Sequence, residues 1–193
     1  YTSDGKFNWE NSTWTNPMAL LKREYNTNSS NLISNLSLSY NFFKGFDGRV
    51  NLGYSSIHMN EHATTPGISQ DPNLFQIVFA GFGRNQIETF IAEPQLSYKR
   101  SIAKGTIQLL TGATLQGTDQ QALVLSGSGY QSDELLGSIQ SASTVIVSTD
   151  MKSKYRYGGF FTRISFDWNN KYYLTLNGRR DGSSRYGPAN RFA

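Results

Sequence analysis

Six segments of the chain alternate between apolar and polar residues, and they are grouped in three pairs. In the first segment the even positions are mainly apolar and the odd positions mainly polar: one parity reads Leu32, Ser34, Leu36, Leu38, Tyr40 and Phe42, and the other reads Ile33, Asn35, Ser37, Ser39 and Asn41. A two-residue period over about ten positions is typical of a tilted strand that crosses a bilayer with one apolar face. The same alternation returns in five further segments: Val50–Tyr54, Phe90–Tyr98, Ile107–Leu115, Phe160–Trp168 and Tyr172–Leu176. The pattern therefore predicts six β-strands.

Short turn-forming stretches connect the two segments of each pair. They are Lys44-Gly45, Ala103-Lys104-Gly105 and Asn169-Asn170. Gly and Asn tolerate the backbone conformations that tight hairpins require. We therefore expect three antiparallel hairpins, at about residues 27–58, 87–118 and 153–181.

The connections between the hairpins are long and rich in Ser, Gly, Thr, Gln and Asn, with about 30 and about 35 residues outside the alternating segments. Short turns at one end and long polar loops at the other are typical of outer-membrane barrels, with turns periplasmic and loops extracellular. Aromatic residues collect at the short-turn end, as expected for a ring at the water–lipid boundary: Phe42, Phe43, Phe46, Trp168, Tyr172 and Tyr173. The predicted fold is an all-β, antiparallel, up-and-down transmembrane barrel segment; the alternative is a soluble β-sandwich, whose strands also alternate.

Composition agrees with strands that have only one apolar face. Of the 193 residues, 37% are hydrophobic and 13% aromatic, so the apolar content is low but rich in rings. The absence of cysteine rules out disulfides and zinc–thiolate sites. A net charge of +4 with scattered basic residues gives no sign of a nucleic-acid partner.

The sequence also contains an H-x-x-E-H pattern, formed by His58, Glu61 and His62. In metalloproteases this pattern binds zinc from a helix, which brings both histidines to one ion. The segment lacks the apolar periodicity of a buried helix, so we expect a loop that happens to contain two histidines. We expect no metal, no cofactor and no enzymatic activity.

Three motifs carry a resemblance to a known family. The stretch Tyr172–Arg191 reads YYLTLNGRRDGSSRYGPANR, residues 16–21 read NPMALL, and residues 93–98 read EPQLSY. These motifs resemble SusC/RagA-like TonB-dependent outer-membrane transporters, and together they span nearly the whole chain.

The resemblance implies a barrel of about 22 strands, of which this chain would supply about six, with the plug and the remaining strands lying elsewhere. It implies an importer in the outer membrane of a Gram-negative bacterium of the Bacteroidetes type, embedded in outer-membrane lipid. It further implies a SusD-like surface lipoprotein as a lid and energy from the TonB complex. The implied cargo is a glycan, and a peptide is the alternative, as in RagA-like members.

Within the signature, Arg179 shares the parity of Thr175 and Asn177 and is expected to point into the lumen, as is Arg163 on the preceding strand. Asp181 is expected to pair with Arg179 or Arg185. Asp and Ser side chains bond nearby amides and Gly permits positive φ, so the sequence predicts a turn at residues 181–184. The family-signature loop then comprises Arg180, Asp181, Gly182, Ser183, Ser184 and Arg185.

Aromatic residues in polar surroundings are the remaining candidates for binding cargo. Trp9 and Trp14 are flanked by Asn and Glu, and sugars bind flat rings while amides and carboxylates contact their hydroxyls. The competing interpretation is that these rings pack the loops or contact the lid. In another class of function, the same residues would fit a soluble or surface-attached carbohydrate-binding module.

Overall fold

The computed structural model describes residues 1–186, and its main element is one six-stranded sheet with the order β1-β2-β3-β4-β5-β6. Each strand pairs with its sequence neighbour, so the chain runs up and down. The strands are β1 (Glu24–Phe43), β2 (Phe46–Thr65), β3 (Phe79–Ile102), β4 (Gly105–Ser128), β5 (Thr144–Trp168) and β6 (Tyr172–Ser183). This architecture confirms the predicted all-β, up-and-down antiparallel fold.

Helical structure is limited to one short α-helix, α1 (Pro17–Leu20), and four 3₁₀ turns at Glu10–Ser12, Gly67–Ser69, Asp133–Gly137 and Ile139–Ser141. Asn16 caps α1, because its side-chain oxygen accepts a hydrogen bond from the Met18 amide at 2.9 Å. No helix within residues 1–186 is long and apolar enough to cross a membrane.

Tight turns close the three hairpins at the predicted positions. Gly45 has a φ of 81°, Ala103 has 54°, and Asn169 and Asn170 have 55° and 54°. Consecutive residues with positive φ form the hairpin turn whose twist matches the flanking strands. Asp167 supports the third turn, because its Oδ1 accepts from the Asn170 amide at 3.1 Å.

The strands extend further than the apolar alternation predicts. Hairpins expected at about 27–58 and 87–118 run from Glu24 to Thr65 and from Phe79 to Ser128, and β5 begins at Thr144. The connections between hairpins shrink accordingly to residues 66–78 and 129–143. Alternation of apolar residues marks only the part of a strand that has an apolar environment on one side, and backbone pairing continues beyond it.

The chain forms two compact units. The loop unit comprises Tyr1–Ser30, Ile57–Gln86 and Gln121–Lys152, and the turn unit comprises Asn31–Ser56, Ile87–Gln120 and the chain from Ser153 onward. Within residues 1–186 the buried hydrophobic side chains all belong to the loop unit; they are Trp9, Ala19, Ala80, Tyr130 and Leu136.

In the loop unit, the connections at 66–78 and 129–143 are ordered by specific contacts. Ala80, Tyr130 and Leu136 form a small apolar cluster. His62 Nε2 lies 3.0 Å from the Leu136 carbonyl oxygen. The Asp133 carboxylate accepts hydrogen bonds from the amides of Gly67 at 2.6 Å and Ile68 at 3.0 Å, which joins the two connections.

Candidate functional site

The turn unit has two chemically different faces. Its outer face is formed by even-numbered positions of β1, β2, β3, β5 and β6 and by odd-numbered positions of β4. Large apolar side chains on this face are exposed, including Leu36, Leu38, Leu52, Phe90, Leu96, Leu109, Leu115, Phe160, Ile164, Leu174 and Leu176. Soluble proteins rarely leave so extensive an apolar surface in water. The outer face therefore fits lipid, and the single sheet of the described residues does not fit a β-sandwich.

The inner face is mainly polar, with Ile33 and Phe161 among its apolar residues, and is crossed by hydrogen bonds between neighbouring strands. Ser37 Oγ donates to Asn51 Oδ1 at 2.9 Å on β1 and β2, and Thr89 and Thr118 lie 3.1 Å apart on β3 and β4. Arg163 Nε donates to Asn177 Oδ1 at 2.9 Å on β5 and β6. Hydrogen-bonded polar pairs of this kind are typical of strands with one face toward an aqueous passage.

Aromatic rings occupy the turn end, as predicted. Phe43 and Phe46 stack with centroids 4.9 Å apart, and Phe46 lies 6.2 Å from Tyr98. At the third hairpin Phe166 lies 5.9 Å from Trp168. These contacts form a ring cluster of the kind that sits at a membrane–water boundary.

Close packing on the inner face explains why position 112 is a glycine. A Cβ at Gly112 would lie 2.7 Å from the Phe161 ring and 2.9 Å from the Pro94 carbonyl oxygen. The ring of Phe161 therefore lies over β4, and any larger residue at position 112 would displace it.

Arg179 stands in a three-membered network with Tyr157 and Asp181, all on the inner face. Arg179 Nε donates to Asp181 Oδ2 at 2.8 Å, and its Nη2 donates to Tyr157 Oη at 2.6 Å. Tyr157 in turn donates to Asp181 Oδ1 at 2.6 Å. Each polar group thus binds the other two, which fixes the arginine against β5.

The network lies on the loop side of the apolar part of the outer face, whose last apolar residues are Phe160 on β5 and Leu176 on β6. There it shifts the pKa values of Asp181 and Tyr157. The hydrogen bond from Arg179, followed by that from Tyr157, lowers the pKa of Asp181. The hydrogen bond to Asp181 raises the pKa of Tyr157. Both shifts favour the state with an ionised carboxylate and a neutral phenol at physiological pH.

The predicted pairing of Asp181 with Arg179 is thus present, but the predicted turn at 181–184 is wrong. Asp181, Gly182 and Ser183 continue β6, and they pair with Gly159, Gly158 and Tyr157. Residues of β5 satisfy the backbone hydrogen bonds of this stretch, so its Asp and Ser side chains are not needed to bond the backbone amides. The chain turns only from Ser184, whose amide donates to the Arg156 carbonyl oxygen at 2.9 Å.

The other signature residues fall on both faces of the hairpin. Arg180 lies opposite Phe160 on the outer face. Arg185 lies over the Tyr155 ring, with its guanidinium carbon 4.6 Å from the centroid. The last part of the signature, residues 187–191, lies outside the described residues.

Sequence inspection missed Tyr157, the third member of the network. Counting outward from the Asn169-Asn170 turn places Gly159 opposite Asp181, and Tyr157 is the next residue on the same face as Arg163. Tyr157 could have been found in this way from the sequence, because the position of the turn was predicted correctly.

Trp9 and Trp14 have different environments in the loop unit. Trp9 is buried, whereas Trp14 is 45% exposed. Trp9 lines a groove of about 620 Å³ together with Phe7, Lys22 and Gln76. The structure thus places Trp9 in a packed position and leaves Trp14 available for contact.

The H-x-x-E-H residues lie on β2, so the expectation of a loop at this position was wrong. On a strand, His58 and His62 share one face and Glu61 points to the other, because side chains alternate. Within residues 1–186 there is no group of three or more His, Cys, Asp or Glu side chains placed to hold a metal ion.

Comparison with known proteins gives consistent matches over the whole chain. No family model matches the sequence. The chain is 21% identical over 205 residues to TonB-dependent receptor P3 of Formosa agariphila and 26% identical over 206 residues to TonB-dependent receptor P26 of the same bacterium. Each match includes 100% of this chain and 20% of the relative, so the chain spans about a fifth of their length.

Solved structures show the same fold. The RagAB peptide transporter matches with a TM-score of 0.78 and 21% identity, over 92% of this chain and 20% of the other. The RagAB peptide importer in the closed-closed state matches with a TM-score of 0.79, at the same identity and coverage. Together with the sheet topology and the two faces, these similarities support the identification of the chain as a segment of the barrel of a SusC/RagA-like TonB-dependent transporter.

Proposed function

We propose that the chain forms part of the wall of a TonB-dependent importer in the outer membrane of a Gram-negative, Bacteroidetes-type bacterium. The observation that carries the proposal is the division of the turn unit into an exposed apolar outer face and a hydrogen-bonded polar inner face. A barrel wall requires this division, because lipid covers one side and water the other. The matches to TonB-dependent receptors, which cover 100% of this chain and 20% of each receptor, support the same function.

In this proposal, the hairpin turns face the periplasm and the connections at 66–78 and 129–143 face the cell exterior. A SusD-like lipoprotein covers the passage from outside, and the TonB complex supplies energy through other parts of the transporter. The described residues position cargo and contribute no chemical step.

Oligosaccharides are the first candidate cargo. The inner face offers Ser, Thr and Asn side chains and two arginines, Arg163 and Arg179, which suit ligands rich in hydroxyl groups. Trp14 adds an exposed ring of the type that binds the C–H surface of sugars. Peptides are the second candidate, favoured by the peptide cargo named for the RagAB structures.

Uptake by cells tests the function and separates the cargoes. The gene is deleted, and fluorescently labelled oligosaccharide and peptide pools are offered to cells with and without the restored full-length protein. We expect uptake of the oligosaccharides to require the protein and to stop when a protonophore dissipates the proton gradient. Dependence of peptide uptake alone would establish the second candidate, and unchanged uptake of both pools would overturn the proposal.

A matched pair of variants tests the role of the inner face. Arg163→Ala removes an inner-face side chain, whereas Ile164→Ala removes a neighbouring outer-face side chain on the same strand. We expect a changed KM for uptake in the first variant and an unchanged KM in the second. Equal KM values for both variants would contradict a passage lined by this face.

A further inference from the structure

A groove of about 670 Å³ crosses β1 to β4 in the loop unit. Leu123 and Leu125 of β4, with Ile139 of the connection that follows, form its apolar wall. Asparagine and arginine side chains of the other three strands form its polar part. An apolar wall with a few convergent polar groups is typical of a site for a small organic ligand.

Two asparagines of the polar part lie opposite each other on β1 and β2. The hydrogen bond between Ser37 and Asn51 gives the register of this strand pair, and the same register places Asn28 opposite Asn60. The side chains of directly opposite residues lie about 5 Å apart. One ligand can therefore bond to both amides.

Arg84 extends this row onto β3. The rings of His62 and Phe82 lie 4.6 Å apart, which sets β2 and β3 in a register that also places Asn60 opposite Arg84. The row from Asn28 to Arg84 thus crosses two strand spacings, or about 10 Å. A short oligosaccharide spans that distance.

The polar side chains of the row are available to a ligand. Among residues 1–186, neither Asn28, Asn60 nor Arg84 has a hydrogen-bond or ion-pair partner, and all three side chains are exposed. The carboxylate of the lining belongs to Glu61, which has the opposite strand parity and accepts a hydrogen bond from Tyr25. The guanidinium of Arg84 therefore faces no acid of this groove.

An adjoining groove of about 400 Å³ shares Asn60 and Arg84 and adds Asp150 and Lys152. These two opposite charges offset each other, and Asp150 has no ion pair with Arg84 within the described residues. The charge that remains for an anionic ligand is that of Arg84.

A ring pair lies beside the row, in the same groove. The His62 and Phe82 rings are tilted by 36°, and His62 Nε2 lies 3.0 Å from the Leu136 carbonyl oxygen, which holds the imidazole in place. Asn26 lines the groove on β1. Aromatic faces pack against the C–H surface of sugars, amides bond to hydroxyl groups, and a guanidinium bonds to a carboxylate or phosphate through two N–H groups. The groove offers all three kinds of contact.

We propose that the groove binds an acidic saccharide, with hydroxyl groups at Asn28 and Asn60, the acidic group at Arg84 and a sugar ring against His62 and Phe82. On each strand these residues have the parity of the apolar outer face, so the site lies on the outside of the wall and is separate from the passage for cargo. This position, at the cell exterior, rests on the proposed function. An acidic saccharide there comes from the headgroup of an outer-leaflet glycolipid or from a soluble polysaccharide.

Calorimetric titration of the full-length transporter in detergent micelles tests the site. The probes are the delipidated core oligosaccharide of lipopolysaccharide, oligogalacturonate and neutral maltohexaose. We expect Arg84→Gln to weaken the binding of an acidic probe by about ten-fold or more, as for the loss of one hydrogen bond to a charged group, and to weaken the binding of maltohexaose less. Asn60→Asp should have the same effect, because it places a carboxylate opposite Arg84. An effect confined to the core oligosaccharide identifies the glycolipid as the source, and an effect confined to oligogalacturonate identifies a soluble polysaccharide.

Lys171→Gln is the matched control, since it removes an exposed cation at the third hairpin turn, in the other unit. No binding of either acidic probe by the wild type, unchanged affinity in Arg84→Gln and Asn60→Asp, or an equal loss in the control would each overturn the proposal. The uptake assay tests the proposed function independently. Uptake that requires the protein, together with unchanged affinity in these variants, contradicts only the saccharide site.

Discussion

At the scale of single residues, the network of Tyr157, Arg179 and Asp181 shows how a family signature can have a structural role. Two hydrogen bonds of 2.6 Å join Tyr157 on β5 to Arg179 and Asp181 on β6, and Arg179 pairs with Asp181 within β6 at 2.8 Å, all on the inner face. The arginine is already bonded to two partners, so its first role is to fix the loop-side end of the hairpin. Contact with cargo would use the donors that remain on its guanidinium.

The lowered pKa of Asp181 predicts a pH-dependent contribution to stability. A carboxyl whose pKa is lower in the folded than in the unfolded state stabilises the fold above its unfolded pKa of about 3.9. That stabilisation is lost as the pH falls through the lower, folded pKa. We therefore expect Asp181→Asn to reduce the free energy of unfolding of the full-length protein at pH 7, and the difference from the wild type to shrink below about pH 4.

Urea unfolding in detergent micelles at several pH values measures this difference. Asp150→Asn serves as a control, since Asp150 is an exposed carboxylate on β5 that lies outside the network. A difference for Asp181→Asn that stays constant from pH 7 to pH 3 would show that the carboxylate is not stabilised by Arg179.

At the scale of elements, the hairpins were predictable in number, pairing and turn position, but their lengths were not. From Leu32 to Phe42 the even positions are apolar except for Ser34, because the outer face needs apolar side chains there. Between Glu24 and Asn31 both faces are polar, yet β1 includes these residues. Backbone pairing with a neighbour extends the strand, and a single sequence gives no signal for pairing between two polar segments.

The same reason explains the errors at His58–His62 and at Asp181–Ser183. Polar and turn-forming residue types suggested loops in both places, and pairing with neighbouring strands overrode that local preference. In the candidate site, parity puts Arg163 and Arg179 on one face, and their hydrogen bonds to Asn177 and Tyr157 agree with this; that the face lines a lumen stays a prediction. Tyr157 could be identified only from the register between β5 and β6.

The third turn offers a test of local conformation. Because Asn169 and Asn170 both have positive φ, replacing both with Ala should cost about 1 kcal/mol at each position, whereas replacing both with Gly should cost little. Urea unfolding of the two double variants, followed by tryptophan fluorescence, gives the comparison. Equal stability of the Ala and Gly variants would show that the turn has another conformation.

The two faces of β3 provide a test of the lipid environment. Leu96→Arg places a charge on the outer face and should destabilise the barrel by about 2–4 kcal/mol if the position lies near the bilayer midplane. Ser97→Arg places the same charge on the inner face and should be tolerated. The amount of folded protein in the outer-membrane fraction reports the difference, and equal losses for both variants would contradict the assignment of the faces.

At the scale of the whole molecule, the chain accounts for about a fifth of the relatives that it matches. Six strands leave β1 and β6 each with a neighbour on one side only within the described sheet. Unpaired strand edges are not tolerated in lipid, because their backbone groups have no water to bond. The remaining strands of the transporter would pair with these two edges and complete the wall.

Topology is the central claim, and cysteine labelling tests it most directly. The 193 residues contain no cysteine, so a single one can be introduced at exposed Leu74, in the connection between β2 and β3, or at exposed Lys171, in the third hairpin turn. Full-length variants are treated in intact cells with a maleimide that does not cross membranes. We predict labelling of Leu74→Cys in intact cells and of Lys171→Cys only after the outer membrane is opened. Labelling of Lys171→Cys in intact cells while Leu74→Cys stays protected would contradict the account.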